Sequence, residues 1–469
     1  MGLFLKRISA MLLAMLLFLS ICPPAAAEEA VESESMEIRV QTGEEEGNLP
    51  LQNVILDIYS TGNRPEGIVS AEEKEKLAQR RNLLATLITD ENGCAQLDTR
   101  NLPETVMITL QDNPAVLGKN TAWLVSTEGK TQSAILELIP EKAPGLQLDI
   151  STYQQKSGTY DIGQLHTWIL RCDIPAGICT AKTFTLTDSF DHRLDYVPGS
   201  VKLSMKNRSG EEIELARSHY HLTEEQQTKM NLPVDVFHLS LTPEGMAYIA
   251  ANLGEGSESA QLLVWFQSSI NRNAEMGAAI PNDVHLLYTN SAGITYSTDS
   301  DIPEVHTGGI RILKTDETGA SIPNCAFMLA REATQSELED ESIFKEVLHI
   351  GSKNLAVLYV DVYSDMSLNE KTFVVTTDRE GKASAYGLAC GTYYLVECGT
   401  PEGYDGAVQP MEIEITQRSH LPENMLQVVN RKFFYPQTGG MGTTAFTAAG
   451  LLLLCAAGLL LLSNRTRKY

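Results

Sequence analysis

Three polar residues near the end of this chain stand where apolar ones are expected. Lys314 closes the run Ile310-Arg-Ile-Leu-Lys314, Glu397 closes Tyr393-Tyr-Leu-Val-Glu397, and Asn430 closes Leu426-Gln-Val-Val-Asn430. Side chains alternate faces along a strand. Lys314 therefore shares a face with Ile310 and Ile312, Glu397 with Tyr393 and Leu395, and Asn430 with Leu426 and Val428. Three buried polar groups in one small unit must satisfy one another. Their chemistry is complementary. Burial of an amine disfavours its charged form and favours the free nucleophile. A buried carboxyl is expected to stay protonated and to polarise a carboxamide. Attack of the amine on the carboxamide, with proton transfer through Glu397 and loss of ammonia, would leave a Lys–Asn amide bond. Parity alone leaves a second reading open, a non-covalent Lys–Glu–Asn cluster.

The elements that must position these residues lie between two special ends. Residues 1–27 carry Lys6 and Arg7, an apolar run from Met11 to Ile21, and Pro23-Pro-Ala-Ala-Ala27, the pattern of a secretory signal peptide. At the other end, Tyr435-Pro436-Gln437-Thr438-Gly439 precedes an uncharged apolar stretch, 445–462, and a tail with Arg465, Arg467 and Lys468. About 18 uncharged residues can just span a bilayer as a helix, and basic residues favour the cytoplasmic side. This order, over 435–469, resembles the cell-wall sorting signal of Gram-positive surface proteins. The resemblance implies that a sortase cuts between Thr438 and Gly439. Tyr435 stands where that signal usually has Leu.

Five of the 36 basic residues and none of the 60 acidic ones fall in the two ends, so net charge goes from −24 to −29 in the mature chain. Such a surface repels nucleic acid. There is no G-x-S-x-G, H-E-x-x-H or P-loop, which argues against an enzyme acting on an external substrate. No cysteine spacing fits zinc. His219 and His221, read as sharing a strand face, are too few for a metal site, and no cofactor is expected. Cys172 with Cys179 and Cys390 with Cys398 could pair locally, or all could remain thiols.

Between the ends the pattern is mainly β, short strands divided by turn residues, with helices expected over Ser70 to Leu84 and Pro243 to Asn252 and a polar insertion from Arg331 to Asn354. It reads as three tandem antiparallel β-sandwiches over 36–145, 146–305 and 306–433. The first and third look like distant copies. Ile38 to Thr42 lines up with Ile310 to Lys314, Thr89 to Gly93 with Thr377 to Gly381, and Thr121 to Ser126 with Thr392 to Glu397. On that alignment Thr42 replaces the lysine and Ser126 the glutamate, so no crosslink is expected in the first sandwich.

Gly391-Thr-Tyr-Tyr-Leu-Val-Glu397-Cys-Gly-Thr-Pro401-Glu-Gly-Tyr404, with the opening and closing strands above, resembles Cna B-type, prealbumin-like domains. The resemblance implies a self-formed isopeptide bond between Lys314 and Asn430, catalysed by Glu397. In the middle unit, Phe184-Thr-Leu-Thr-Asp188, Leu194 to Val201, Ser269 to Ala274 and Asn282 to Asn290 resemble the isopeptide-forming domain of Gram-positive fimbrial subunits. That implies Asp188 as the acid and Asn282 as the amide partner. Its lysine belongs in the opening strand, but Leu146-Gln-Leu-Asp-Ile-Ser-Thr152 has none. The whole resembles a Gram-positive pilus subunit, with Lys142 of Leu138-Ile-Pro-Glu-Lys142 at the place of the lysine that receives the next subunit. The implied partners are sortase and other pilus subunits or peptidoglycan. A wall-anchored adhesin that never polymerises is the alternative, and no host or surface ligand can be read.

Overall fold

A computed structural model describes residues 35–61, 67–69, 71–79, 82–117, 122–127, 133–333, 344–364, 367–407, 409–433, 447 and 451–454. The signal peptide, Ser70, the motif Tyr435 to Gly439 and most of 445–462 lie outside them. Among the described residues, no helix is long and apolar enough to cross a membrane. The chain is mainly β, and its sheets fall into three groups along the sequence.

The first group, 35–140, sets the sheet holding Ser35–Thr42 against the five-stranded sheet holding Ile55–Ser60. Strict alternation on Ser35–Thr42 buries Met36, Ile38 and Val40. This strand pairs in parallel with the closing strand Ser133–Pro140 and antiparallel with Cys94–Asp98. The expected helix is short, Ala71–Leu77.

In the second group, Leu146–Ile150, Leu165–Asp173, Gln261–Ile270 and Lys202–Lys206 are neighbours in one sheet. The facing sheet runs Tyr220–Lys229, Leu232–Leu241, Thr183–Ser189, Val284–Thr289 and Thr295–Asp299. Trp168, Phe184, Phe190, Phe237, Phe266 and Tyr288 fill the space between them. The helix Pro243–Ala251 starts as the sequence suggests, with Pro243 in its first turn and Thr242 Oγ1 accepting the Gly245 N–H at 3.0 Å. A side chain at Gly245 would put Cβ 2.0 Å from the His219 carbonyl oxygen, so only glycine lets this helix pack there.

The third group repeats the plan of the first. Gly308–Asp316 pairs in parallel with the closing strand Leu426–Lys432 and antiparallel with Lys382–Leu388. The facing sheet is ordered Phe344–Ile350, Lys353–Leu358, Ala326–Glu332, Gly391–Gly399, Met411–Ile415. The polar insertion is therefore partly structured, with Phe344–Ile350 and Lys353–Leu358 forming a hairpin.

The copies are real in topology, but their register differs from the sequence alignment. The Val40 N–H donates to Gly93 O and the Lys314 N–H to Gly381 O. The Val54 N–H donates to Thr89 Oγ1 as the Cys325 N–H does to Thr377 Oγ1. Lys314 thus corresponds to Val40, two residues before Thr42. Leu56 pairs with Leu110 as Phe327 pairs with Glu397, so the glutamate corresponds to Leu110 and not to Ser126. Val40 pairs with Leu136 as Lys314 pairs with Val428, which sets Leu138 against Asn430. A two-residue slip keeps parity, which is why the alternation pattern did not expose it.

The groups are joined by specific contacts. Ala292 and Ile294 of the second pack into the core of the first. The Ile162 N–H donates to Gly387 O at 2.9 Å, and the Ala389 N–H to Asp161 Oδ1 at 2.7 Å, between the second and third.

Candidate functional site

Lys314 lies on the first strand of the third sandwich, Asn430 on the last, and Glu397 in the facing sheet. The side chains of Lys314 and Glu397 are 0% and 1% exposed, and Asn430 is buried. Ile310, Ile312, Tyr393, Leu395 and Val428 enclose them, as alternation requires. The Lys314 strand is fixed at this point by Gly381, whose left-handed backbone (φ 73°) brings its carbonyl to the Lys314 N–H at 2.7 Å. A Cβ on Gly381 would lie 2.5 Å from Lys314 O, so glycine is required for this approach.

The three groups meet one another. Lys314 Nζ donates to Glu397 Oε2 at 2.9 Å and also to Asn430 Oδ1. Asn430 Nδ2 donates to Glu397 Oε1 at 2.6 Å. One carboxylate oxygen therefore faces the amine and the other faces the amide nitrogen. The Phe327 ring lies 5.4 Å from Nζ and closes the site on the core side.

Burial by itself would raise the Glu397 pKa, but hydrogen bonds from Lys314, Asn430, Thr400 and the Ala407 N–H outweigh it and bring it below the ordinary value. This corrects the expectation of a protonated Glu397. The sequence shows that the residue is buried but does not show how many donors converge on it. Before any reaction the carboxylate is thus the base, and a proton must move from Nζ to Oε2 to free the amine.

The second sandwich holds two of three parts. Asp188 and Asn282 are 0% and 2% exposed, and Asn282 Nδ2 donates to Asp188 Oδ2 at 2.8 Å. Burial raises the Asp188 pKa well above the usual carboxylate range. Asp188 Oδ1 and Asn282 Oδ1 have no other partner. A neutral carboxylic acid would carry its O–H on Oδ1, the oxygen that accepts no hydrogen bond. No lysine joins it. Lys156 Nζ is held by Asp149 Oδ1 at 2.6 Å and by Asp301, and Lys142 is exposed at the junction of the first two sandwiches.

The residue before Lys142 was not singled out from the sequence. Glu141 is buried, with its carboxylate accepting from Tyr288 OH at 2.6 Å and the Gly177 N–H at 3.2 Å. Its carbonyl accepts from Tyr296 OH at 2.6 Å, and its N–H donates to Ala115 O at 3.0 Å. Lys142 is thus presented next to a residue clamped between two sandwiches. A lone Glu in a loop carries no sequence signal for such a clamp.

All six cysteines of the described chain are free. Cys390 precedes the extended strand Gly391–Gly399 and Cys398 lies near its far end, roughly 26 Å away, which forbids their pairing. His219 ends a short 3-10 turn, outside the strand that holds His221, and stacks on Tyr248 at 4.3 Å. The two histidines therefore share no strand face. Among the described residues no group of His, Cys, Asp and Glu is arranged to hold a metal.

Residues 308–428 match the SpaA prealbumin-like fold domain, and residues 431–468 match the LPXTG cell wall anchor motif. No curated protein matches the chain. Among solved structures, a 35 kDa C-terminal fragment of the major pilin of Streptococcus agalactiae is similar at 22% identity and TM-score 0.45, over 62% of this chain and all of that one. The full-length major pilin of Streptococcus pneumoniae is similar at 12% identity and TM-score 0.47, over 86% of this chain and all of that one. The major pilin subunit of Bacillus cereus is similar at 12% identity and TM-score 0.43, over 85% of this chain and 99% of that one. The chain is a Gram-positive surface protein with a C-terminal cell wall anchor and, before it, a SpaA-type prealbumin-like domain.

Proposed function

We propose that this chain is a pilus subunit. Sortase joins it through Thr438 to the next subunit or to peptidoglycan, and its third sandwich closes itself with a Lys314–Asn430 isopeptide bond. The observation that carries the bond is the buried contact of Lys314 Nζ, Glu397 and Asn430 described above. A proton passes from Nζ to Glu397 Oε2. The free amine attacks Asn430 Cγ, whose oxygen already lies against Nζ. The Nζ–Cγ bond forms, the Cγ–Nδ2 bond breaks, and Nδ2 leaves as ammonia with protons supplied by the lysine through Glu397.

The bond would tie the first strand to the last. Tension entering at the opening strand would then pass to the closing strand without unfolding what lies between. Polymerisation rests on Lys142, an exposed amine beside the clamped Glu141. If load enters at Lys142 and leaves at Thr438, the first sandwich lies off the path, and its apolar Val40, Leu110 and Leu138 are where a crosslink would be.

Wall extracts from cells making wild type or Lys142→Ala test the assembly. The expected result is a ladder of covalent multimers in wild type and a single wall-linked species in the variant. A single species in both would replace the pilus with the adhesin that never polymerises.

A further inference from the structure

Glu397 is held by more than its two reaction partners. Thr400 Oγ1 donates to Glu397 Oε1 at 2.8 Å, and the Ala407 N–H donates to Oε2 at 3.2 Å. A Cβ on Gly406 would lie 2.2 Å from Thr400 Oγ1 and 3.6 Å from Glu397 Oε1, so the chain at Gly406 closes down on the hydroxyl and the carboxylate together. Thr400 itself is exposed, while the carboxylate that it touches is not. The oxygen it contacts is the one that faces the departing nitrogen of Asn430.

We propose that Thr400 is a positioning residue for isopeptide formation, whose hydroxyl pins Glu397 Oε1 so that Oε2 is turned to the lysine and Oε1 to the leaving amide. The proposal rests on the crosslink reading above. The physical argument is one of geometry and charge. With Oε1 fixed by Thr400, the carboxylate cannot rotate away from the line joining Nζ to Nδ2. A hydroxyl that donates to the ionised form also favours that form, and the ionised form is the base that the first proton transfer needs. The other titratable group in contact is Cys325, whose Sγ lies 3.8 Å from Oε1. Burial raises its thiol pKa to about 11, so it stays neutral. Lys314 is then the one charged neighbour bonded to Glu397 among the described residues.

The test follows the reaction as it happens. The mature chain is purified in denaturant under reducing conditions and refolded by dilution at a series of pH values. Bond formation is read as the loss of one ammonia in quenched samples, with circular dichroism reporting folding in parallel. Removing a donor to the carboxylate raises its pKa, so Thr400→Val should move the acid limb of the rate profile up by about one pH unit. At a fixed pH below that limb, the rate should fall roughly tenfold. Thr400→Ser, which restores the hydroxyl, should follow wild type. An unshifted limb in Thr400→Val overturns the proposal, whether the rate is unchanged or lowered equally at every pH. So does a Thr400→Ser that behaves like the valine variant. Should Thr400→Val refold poorly, Thr400→Ala is compared with Thr400→Ser by the same criterion. If wild type loses no ammonia, the crosslink reading itself has failed, and the proposal falls with it.

Discussion

Replacing Lys314 by methionine should remove the crosslink while leaving the site filled. Methionine matches the lysine stem in length, and its thioether suits the Phe327 ring beside it. Glu397 keeps its donors from Asn430, Thr400 and Ala407, so no buried charge loses all its partners. What is lost is the closure of a loop whose ends lie 116 residues apart. Treated as a crosslink acting on the unfolded chain, a loop of this length contributes about 5 kcal/mol. For a sandwich of this size each kcal/mol moves the midpoint by roughly 3–5 °C, so the third sandwich should melt about 15–25 °C lower. Calorimetry on the mature chain reads this directly, because one transition should move and the others should not. Glu397→Ala should lower the same transition further, since it removes the bond and also leaves the buried Lys314 Nζ and Asn430 Nδ2 without their acceptor. A Lys314→Met transition within a few degrees of wild type would refute the reasoning.

The second sandwich offers three further tests. Asp188 binds its proton more tightly folded than unfolded, so its contribution to stability is full below the unfolded pKa and is lost as pH rises toward the folded one. Asp188→Asn keeps an acceptor for the Asn282 Nδ2 and removes the titration, so chemical denaturation of this unit should become flatter with pH above the ordinary carboxylate range. Ile150 pairs with Trp168 and Trp168 with Phe266 in one sheet, while Phe237 pairs with Asp188 and Asp188 with Val284 in the other. Phe266 meets Phe237 at 5.0 Å, and Ile150 shares the same core as Val284, so Ile150→Lys should add a second ammonia loss that Asp188→Ala abolishes. Glu141→Ala leaves the Tyr288 hydroxyl and the Gly177 N–H without their acceptor, at a cost of roughly 2–4 kcal/mol. Trypsin cleavage after Lys142 should then be markedly faster.

Much of this was legible because strands obey a period of two. Lys314, Glu397 and Asn430 were found by parity alone, and so was the inward face of Asp188 and Asn282. Parity cannot see register, which is why the first sandwich was aligned two residues out at Thr42 and on the wrong strand at Ser126. The true counterparts Val40, Leu110 and Leu138 look like ordinary core, and only the backbone bonds to Gly93 and Thr89 identify them. The ionisation of Glu397 was misjudged for a related reason. Burial is written in the pattern of one strand, whereas the donors from Thr400 and Ala407 come from a loop that folds back on it. Glu141 was missed because its partners, Gly177, Tyr288 and Tyr296, lie far along the chain in another sandwich.

The central claim is the covalent bond, and mass answers it most directly. Residues 28–434 of wild type and of Glu397→Ala should be weighed intact after reduction of the cysteines. The account predicts a wild-type mass one ammonia below the sequence value and a Glu397→Ala mass equal to its own. A wild-type mass equal to the sequence value would contradict it, leaving Lys314, Glu397 and Asn430 as a buried cluster held by hydrogen bonds alone.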